Sequence, residues 1–228
     1  MENVIEKRNG CLIVLEGLDG AGKTTAVKYL KEKFESLGYE VVATREPGGS
    51  PYAEALRDIM KGEISNDTDA LTQTMLVCSA RRDHVQKTIR PALEAGKVVI
   101  CDRYILSTFA YQGISEKIVN LCELGMDNLV PDVTLMMLLS VEESIKRTRA
   151  RNGDESLVAD RFETEDIIKL AERSERYEEA SMHSRYVGVR YDIDANQDIY
   201  GVQCQLGQFV RGSAIDFLNG NTDAFRMR

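Results

Sequence analysis

The chain has 228 residues, of which 43% are hydrophobic and 29% charged, and its formal net charge is −8. This composition is typical of a globular protein, and the negative charge argues against a general nucleic-acid coat or a membrane-surface role. The first residues, MENVIEKRNG, contain no apolar signal segment, and no stretch approaches the roughly 18 apolar residues of a membrane span. Five cysteines occur without a CxxC pair, so we expect reduced thiols and a cytoplasmic protein.

Short apolar runs alternate with longer helix-like stretches along the chain. The runs predicted to be strands are Cys11–Glu16, Glu40–Thr44, Val98–Asp102, Val133–Leu139 and Gly188–Asp194. The first four are nearly continuous in apolar residues, which predicts strands buried on both faces of a parallel sheet covered by helices. The alternation predicts one α/β domain with right-handed crossovers over residues 1–211, followed by an irregular tail at 212–228.

Two of the predicted helices have clear start signals. Ser140 followed by Glu143 matches a capping box, and it predicts a helix that ends near Gly153. Thr164 is followed by two acidic residues, which predicts a second helix running to about Met182. The polar stretch between these helices is typical of a mobile lid, and we place this lid at about residues 147–164.

A glycine-rich segment follows the first predicted strand and fits the pattern GxxxxGK[ST]. Backbone N–H groups must wrap around phosphate oxygens there, so the turn requires glycines, and the next helix directs its N-terminal dipole at the same anion. Lys23 is expected to reach the outer phosphates, and the Thr24 hydroxyl is expected to bind Mg2+. The residues predicted to contact the phosphates of ATP are Gly17, Leu18, Asp19, Gly20, Ala21, Gly22, Lys23, Thr24 and Thr25.

The third apolar run narrows the class of phosphate-loop protein. It ends in Asp102, and Arg103 follows where many ATPases place a catalytic glutamate. No NKxD guanine motif occurs in the sequence, which argues against a GTPase. An acid followed by an arginine suits a site where Mg2+ and a second phosphate group lie side by side.

Taken together, several motifs resemble those of the thymidylate kinase family. They are EGLDGAGKTT at 16–25, TREPGG at 44–49, AR at 80–81, DRY at 102–104, LSTFAYQG at 106–113, DRFE at 160–163 and DIDA at 192–195. They follow the family's order and approximate spacing over roughly residues 9–210. The resemblance implies the P-loop nucleoside monophosphate kinase fold, with a five-stranded parallel sheet and a helical lid. It also implies a homodimer that transfers the γ-phosphoryl group of Mg2+–ATP to dTMP, giving dTDP for dTTP synthesis.

The same resemblance implies which residues bind the acceptor nucleotide. Asp19 would accept a hydrogen bond from the 3′-hydroxyl of the sugar, and Tyr111 would crowd the 2′ position. Arg45 and Arg103 would hold the acceptor phosphate, because the planar fork of arginine binds phosphate in a bidentate manner. Arg81 would contact a base carbonyl. Further base-edge candidates are Ser107, Thr108 and Gln112, and Asp194 and Ala195 are assigned to the adenine side.

Members of the family differ in the location of one catalytic arginine. Some carry it inside the phosphate loop, but Gly20 occupies that position here, so the charge should come from the lid, as in many bacterial members. The candidates are Arg147, Arg149, Arg151 and Arg161. On one helix, the first and third of these share a face and Arg149 points nearly opposite. We expect Arg149 and Arg151 to act, with unwinding near residue 152 freeing the latter.

The base pocket departs from the family pattern at Val77. Thymidylate kinases usually place a phenylalanine four residues before the arginine that matches Arg81, and the base stacks on its ring. Stacking of a base on an aromatic ring is typically worth about 1–3 kcal/mol. We favour the hypothesis that Phe109 or another ring compensates and that dTMP remains the acceptor. The alternatives are a pocket for another or a C5-modified deoxypyrimidine monophosphate, an adenylate-kinase-like enzyme, and a nucleotide-binding protein without turnover.

Overall fold

The computed structural model describes residues 10–62, 67–152 and 164–214, together with Leu218. Most of the predicted lid, including the motif at 160–163 and the candidate Arg161, therefore lies outside the described residues. Among the helices that are described, none is long and apolar enough to cross a membrane.

In the described part of the chain, five parallel strands form one sheet in the order β2-β3-β1-β4-β5. The strands are β1 (Cys11–Glu16), β2 (Val41–Arg45), β3 (Val98–Asp102), β4 (Val133–Leu138) and β5 (Val189–Asp194). Each lies within one residue of the run that predicted it. The expected five-stranded parallel sheet is therefore confirmed.

One expectation about the sheet is wrong, because β2 is not buried on both faces. Its side chains are half-buried or exposed, whereas those of β1 and β3 are almost all buried. The reason is its position: β2 is an edge strand that pairs only with β3. A short apolar run does not distinguish an edge strand from a central one.

Helices cover both faces of the sheet. They are α1 (Lys23–Ser36), α2 (Pro51–Lys61), α3 (Ala70–His84), α4 (Arg90–Glu94), α5 (Ile105–Gln112), α6 (Glu116–Met126), α7 (Val141–Asn152), α8 (Thr164–Ser181), α9 (Ser184–Val187) and α10 (Ile199–Phe209). Wider turns with π-type geometry join α3 to α4 and follow α10. The Ser140 hydroxyl accepts a hydrogen bond from the Glu143 N–H at 3.2 Å, so α7 has the predicted cap.

Alternation along β1 divides the core into two layers. Leu12 and Val14 belong to a cluster built with α3, α5, α6 and α8, while Ile13 and Leu15 belong to a cluster built with α1 and α10. Helices cover both faces of the sheet, so the polar groups at the carboxyl ends of its strands remain accessible at its edge. Open α/β sheets bind their ligands at this edge.

The predicted domain boundary after residue 211 falls inside a helical segment. Val210–Ala214 continues α10 in π-type turns, and Ala214 is fully buried in the core layer beside α1. Leu218 packs against the same layer. The folded domain thus extends beyond the predicted boundary, because apolar residues at 210, 214 and 218 recur at helical spacing. Residues 215–217 and 219–228 lie outside the described part of the chain.

Candidate active site

The carboxyl ends of three neighbouring strands bring the predicted site residues together. Arg45 at the end of β2 lies beside Asp102 at the end of β3, and Asp102 lies beside Leu15 near the end of β1. The glycine-rich loop leaves β1 at this edge and leads directly into α1. The sheet therefore places an acid and an arginine next to the loop.

Two glycines of the loop have conformations or surroundings that exclude a side chain. Gly17 has φ 139°, and a Cβ there would lie 2.5 Å from the carbonyl oxygen of Met137. Gly20 has φ 80°, and a Cβ there would lie 3.2 Å from the Cβ of Arg147 on α7. A side chain at position 20 would therefore have a strained backbone and a tight contact with α7.

Lys23 spans the mouth of the loop from the first turn of α1. Its Nζ donates to the carbonyl oxygens of Gly17 at 2.8 Å and Leu18 at 2.7 Å. Burial of the ammonium and the positive charge of Arg103 lower the pKa of Lys23 to about 8. The loop thus holds a buried cation where phosphate oxygens of a nucleotide are expected.

Thr24 and Asp102, the two residues predicted to bind Mg2+, contact each other. The Thr24 hydroxyl donates to Oδ2 of Asp102 at 2.8 Å. The other carboxylate oxygen, Oδ1, is buried and has no hydrogen-bond partner among the described residues. A hydroxyl and a carboxylate with one unused oxygen are ligands that Mg2+ prefers, so the donor set fits this ion.

Arg103 is enclosed by three residues predicted to bind the acceptor and by Tyr177, which was not predicted. Its Nη2 lies 2.5 Å from Oδ1 of Asp19, and Tyr111 donates its hydroxyl to Oδ2 of the same carboxylate at 2.5 Å. Its Nη1 donates to the hydroxyls of Tyr177 at 2.9 Å and Ser107 at 3.1 Å. With φ 72°, Arg103 has a left-handed backbone conformation that is rare for a side chain of this size. Such strain is typical of functional sites.

Burial and nearby charges shift the pKa of Asp19 and of Tyr111 beside Arg103. Burial disfavours the ionised form of Asp19, but the Arg103 charge and the Tyr111 hydrogen bond outweigh it and lower the pKa of Asp19. Burial raises the pKa of Tyr111 to about 12. At neutral pH, Asp19 is therefore a carboxylate that can accept from a sugar hydroxyl, and Tyr111 stays a hydrogen-bond donor.

Arg81, which was predicted to contact a base carbonyl, is completely buried. Its Nε lies 2.6 Å from Oε2 of Glu46, and its Nη2 donates to the Tyr104 carbonyl and the Thr108 hydroxyl, each at 2.9 Å. Its Nη1 is buried and has no hydrogen-bond partner among the described residues. The guanidinium also interacts with the side chain of Cys122, which is fully buried. Val77 is buried one turn earlier on α3.

Several predicted base-edge residues already have protein partners. The Ser107 hydroxyl donates to Glu16 at 2.6 Å, and the Thr108 hydroxyl accepts from Arg81. Gln112 is half-buried at the end of α5. The suggestion that Phe109 replaces the missing stacking ring is wrong: Phe109 is 1% exposed and packs in the core, with its ring 5.0 Å from that of Tyr186.

Behind Arg81 lies a network that the sequence analysis did not predict. Glu46 bonds Arg81 through Oε2 and His84 Nδ1 through Oε1 at 3.1 Å, and His84 Nε2 lies 2.7 Å from the Thr44 hydroxyl. Glu46 is part of the quoted TREPGG motif, but nothing in the pattern indicated His84. Cys101 is close enough to complete a metal-ligand set with these two residues. However, their polar atoms are already bonded and the Arg81 charge opposes a cation, so we assign a structural role.

At the phosphate side, Arg45 is half-exposed and pairs with Glu54 at 2.9 Å. Arg57 on α2 donates to the Pro47 carbonyl at 2.6 Å. Burial, together with the nearby charge of Arg45, lowers the pKa of Arg57. Arg57 thus adds a third positive charge beside Arg45 and Arg103. The sequence pattern around Arg57 did not distinguish it from a solvent-exposed helix residue.

The adenine-side residues are connected to the loop through Arg147. Its Nη1 donates to the Ala195 carbonyl at 2.9 Å and lies 3.5 Å from the Gly20 carbonyl. Asp194 accepts the Asn196 N–H at 3.0 Å, and hydrogen bonds from Asn196 lower its pKa. Ala195 is therefore linked to the phosphate loop through Arg147, and the assignment of both residues to the adenine side stays a prediction.

The two favoured lid arginines lie within the helix. Because α7 continues through Asn152, the unwinding expected near that residue is absent from the structure. Arg149 is half-buried and Arg151 is exposed. Burial raises the pKa of Asp19, and the charge of Arg103 lowers it. The positive charge of Arg151 makes a smaller contribution that also lowers the pKa of Asp19. Its charge therefore acts on the acceptor side of the site.

Comparisons with known proteins support one family. The sequence model of a family described as thymidylate kinase matches residues 15–203. A thymidylate kinase of Pseudomonas fluorescens is 40% identical over 208 residues, which cover 88% of this chain and 95% of that protein. A thymidylate kinase of Ruegeria pomeroyi is 36% identical over 205 residues, covering 88% and 94% of the two chains. One from a Bradyrhizobium species is 42% identical over 175 residues, covering 73% and 76%.

Proposed function

This chain belongs to the thymidylate kinase family, and on that premise we propose that it transfers the γ-phosphoryl group of ATP to the 5′-phosphate of dTMP, giving ADP and dTDP. The observation that carries the proposal is the position of Arg103. It lies beside the phosphate loop and contacts Asp19 directly, so a donor and an acceptor phosphate can approach each other there.

The donor side of the site provides the contacts that ATP needs. The loop and Lys23 bind and orient its phosphates, with Asp194 and Ala195 on the side of the adenine. Thr24 and Asp102 would hold Mg2+, which would supply positive charge to neutralise the ATP phosphates. Phosphoryl transfer depends mainly on positioning and electrostatic stabilisation, so these fixed charges account for most of what the protein must do.

The acceptor side distinguishes the phosphate, the sugar and the base. Arg103, assisted by Arg45, binds the acceptor phosphate and holds it in line with the γ-phosphate. Asp19 accepts from the 3′-hydroxyl, and Tyr111 occupies the space that a 2′-hydroxyl would need. Arg81 donates to a base carbonyl, while Val77 offers apolar contact to the base. The named relatives favour dTMP over a different deoxypyrimidine monophosphate and over a protein without turnover.

The test is a coupled ADP-release assay with Mg2+–ATP and a panel of acceptors: dTMP, dUMP, dCMP, 5-hydroxymethyl-dUMP and AMP. We expect dTMP to have the highest kcat/KM, about tenfold or more above dUMP, because a buried methyl contact contributes about 1–3 kcal/mol. Equal or better turnover of another pyrimidine nucleotide would contradict dTMP as the acceptor. Preferential use of AMP would indicate an adenylate kinase, and binding of dTMP without ADP release would indicate a non-catalytic protein.

We also propose that the chain forms a homodimer through the face of α3 and α6. Large apolar side chains are exposed there, with Met75 47% and Leu124 68% accessible, and they line a groove that Tyr52 of α2 also borders. Contiguous exposed apolar surface is typical of a protein–protein interface. A cytoplasmic location, expected from the sequence, is part of the same proposal.

For the dimer, sedimentation equilibrium at micromolar concentration should give about twice the chain mass of 25.6 kDa. Leu124→Glu should shift the protein toward the monomer, because it places a charge in the apolar groove. The matched control is Leu37→Glu at the end of α1, which alters an equally large exposed leucine elsewhere. A wild-type chain that sediments as a monomer at about 100 μM, far above typical dimer dissociation constants, would exclude this interface.

A further inference from the structure

A tyrosine distant in sequence contacts the arginine at the centre of the site. Tyr177 lies in α8, is 3% exposed, and accepts a hydrogen bond from Nη1 of Arg103 at 2.9 Å. The two residues are 74 positions apart in the chain. Nothing in the sequence pattern distinguished Tyr177 from an ordinary core residue.

The hydroxyl of Tyr177 continues into a chain of hydrogen bonds that ends at a buried carboxylate. It lies 2.8 Å from the Ser107 hydroxyl, which donates to Oε2 of Glu16 at 2.6 Å. The other oxygen of Glu16 accepts the backbone N–H groups of Tyr104 at 2.8 Å and Ser107 at 3.1 Å. Glu16 itself is fully buried at the end of β1.

The chemistry of the end groups sets the direction of this chain. A guanidinium only donates and a carboxylate only accepts, and each hydroxyl has one proton. Ser107 donates its proton to Glu16, so Tyr177 must donate to Ser107 and is left to accept from Arg103. Burial raises the pKa of Glu16, while the hydrogen bonds from Ser107 and Tyr104 and the charge of Arg103 favour its carboxylate form. In the carboxylate form, every donor in the chain has an acceptor. The carboxylate thus anchors the guanidinium through two hydroxyls.

The consequence for Arg103 is a fixed orientation of its fork. Nη1 is occupied by Tyr177 and Ser107, which leaves Nη2 directed at Asp19 and within 3.4 Å of the Tyr111 hydroxyl. A free arginine side chain would lose considerable rotamer entropy on binding a ligand, and an arginine already held in place loses less.

Further contacts fix the position of α8 against α5, and they therefore also fix the position of Tyr177. Nη1 of Arg176 donates to the Ala110 carbonyl at 3.3 Å. The guanidinium of Arg173 lies 4.5 Å from the centre of the Tyr111 ring. These neighbours of Tyr177 bind two residues of α5, the helix that also carries Ser107.

We propose that Tyr177 is a positioning residue for acceptor-phosphate recognition: its hydroxyl, anchored through Ser107 to Glu16, orients the guanidinium of Arg103. The proposal rests on the proposed function, which places the acceptor phosphate at Arg103. Tyr177 does not touch the substrate in this proposal and acts only through the arginine.

Tyr177→Phe tests the proposal because it removes the hydroxyl and keeps the ring. Calorimetric titration with dTMP and with thymidine, which lacks the phosphate, separates phosphate recognition from a general loss of structure. We expect the Kd for dTMP to rise about tenfold, the effect of one hydrogen bond to a charged group, and the Kd for thymidine to stay within about twofold. The kcat/KM for dTMP should fall in parallel. The control is Tyr186→Phe, which removes a part-buried hydroxyl that contacts Arg185 and Glu123, and it should change neither ligand's affinity.

A double-mutant cycle tests whether the effect passes through Arg103. In an Arg103→Ala background, Tyr177→Phe should not weaken dTMP binding further, because there is no guanidinium left to orient. Ser107→Ala interrupts the chain with a smaller change and should reproduce the selective loss of dTMP affinity. The proposal is overturned if Tyr177→Phe weakens dTMP and thymidine equally, if its effect persists without Arg103, or if it binds dTMP as the wild type does. Failure of the wild type to phosphorylate dTMP would instead refute the proposed function, and the positioning role with it.

Discussion

Replacing Arg103 with alanine should lower kcat/KM for dTMP about a thousandfold, which is the range seen when a fixed charge near a transferring group is removed. The guanidinium is the cation that contacts both Asp19 and the hydroxyl chain from Glu16, so no neighbouring residue can take over its position. Arg103→Lys should recover only part of the activity, because an ammonium lacks the planar fork that binds phosphate in a bidentate manner. Initial rates at varied dTMP and saturating ATP measure both effects.

Two controls distinguish this effect from damage to the fold. The KM for ATP should stay within about twofold of the wild-type value, because a general loss of structure would weaken the binding of both nucleotides. Arg190→Ala removes an arginine near the start of β5, where it pairs with Glu178 and Asp192, and should leave kinetics unchanged. Urea unfolding of each variant checks that the protein remains folded under assay conditions. An Arg103→Ala enzyme with near wild-type kcat/KM for dTMP would remove the basis of the proposed acceptor site.

The second large effect concerns the lid arginines. We expect Arg151→Ala to lower kcat about a hundredfold or more, because an arginine that reaches the transferring group stabilises its charge in the transition state. Arg151 shares a helix face with Arg147, which contacts the phosphate loop, and its charge acts on Asp19. Arg149 lies on the other side of α7, so Arg149→Ala should cost less than about tenfold, the scale of one lost surface interaction.

Single-turnover measurements with dTMP and ATP give the rate of the chemical step for both variants. The two variants serve as matched controls for each other, since each removes one arginine from the same turn of α7. If both variants kept full kcat, no catalytic arginine would reside at either position. If Arg149→Ala were the more damaging change, Arg149 rather than Arg151 would supply the catalytic charge.

Local patterns in the sequence determined much of the fold and the donor side of the site. The sequence runs located all five strands to within one residue. The buried strands β1, β3 and β4 need continuous apolar side chains, whereas β2 and β5 lie at the sheet edges. The glycine-rich loop and Lys23 could be predicted because phosphate binding by backbone groups requires a contiguous segment with a defined spacing. Thr24 and Asp102 follow from the same logic, as each ends or begins an element next to that loop.

Only the tertiary structure decided which residues orient the acceptor side. Tyr177 reaches Arg103 across 74 positions, and Glu46 reaches Arg81 across 35, and such pairings leave no periodic signal in the chain. Packing likewise placed Phe109 in the core and β2 at the sheet edge. The physical reason is the same in each case. Periodicity records which face of an element is apolar, whereas the partner of a polar side chain depends on how separate elements pack against each other.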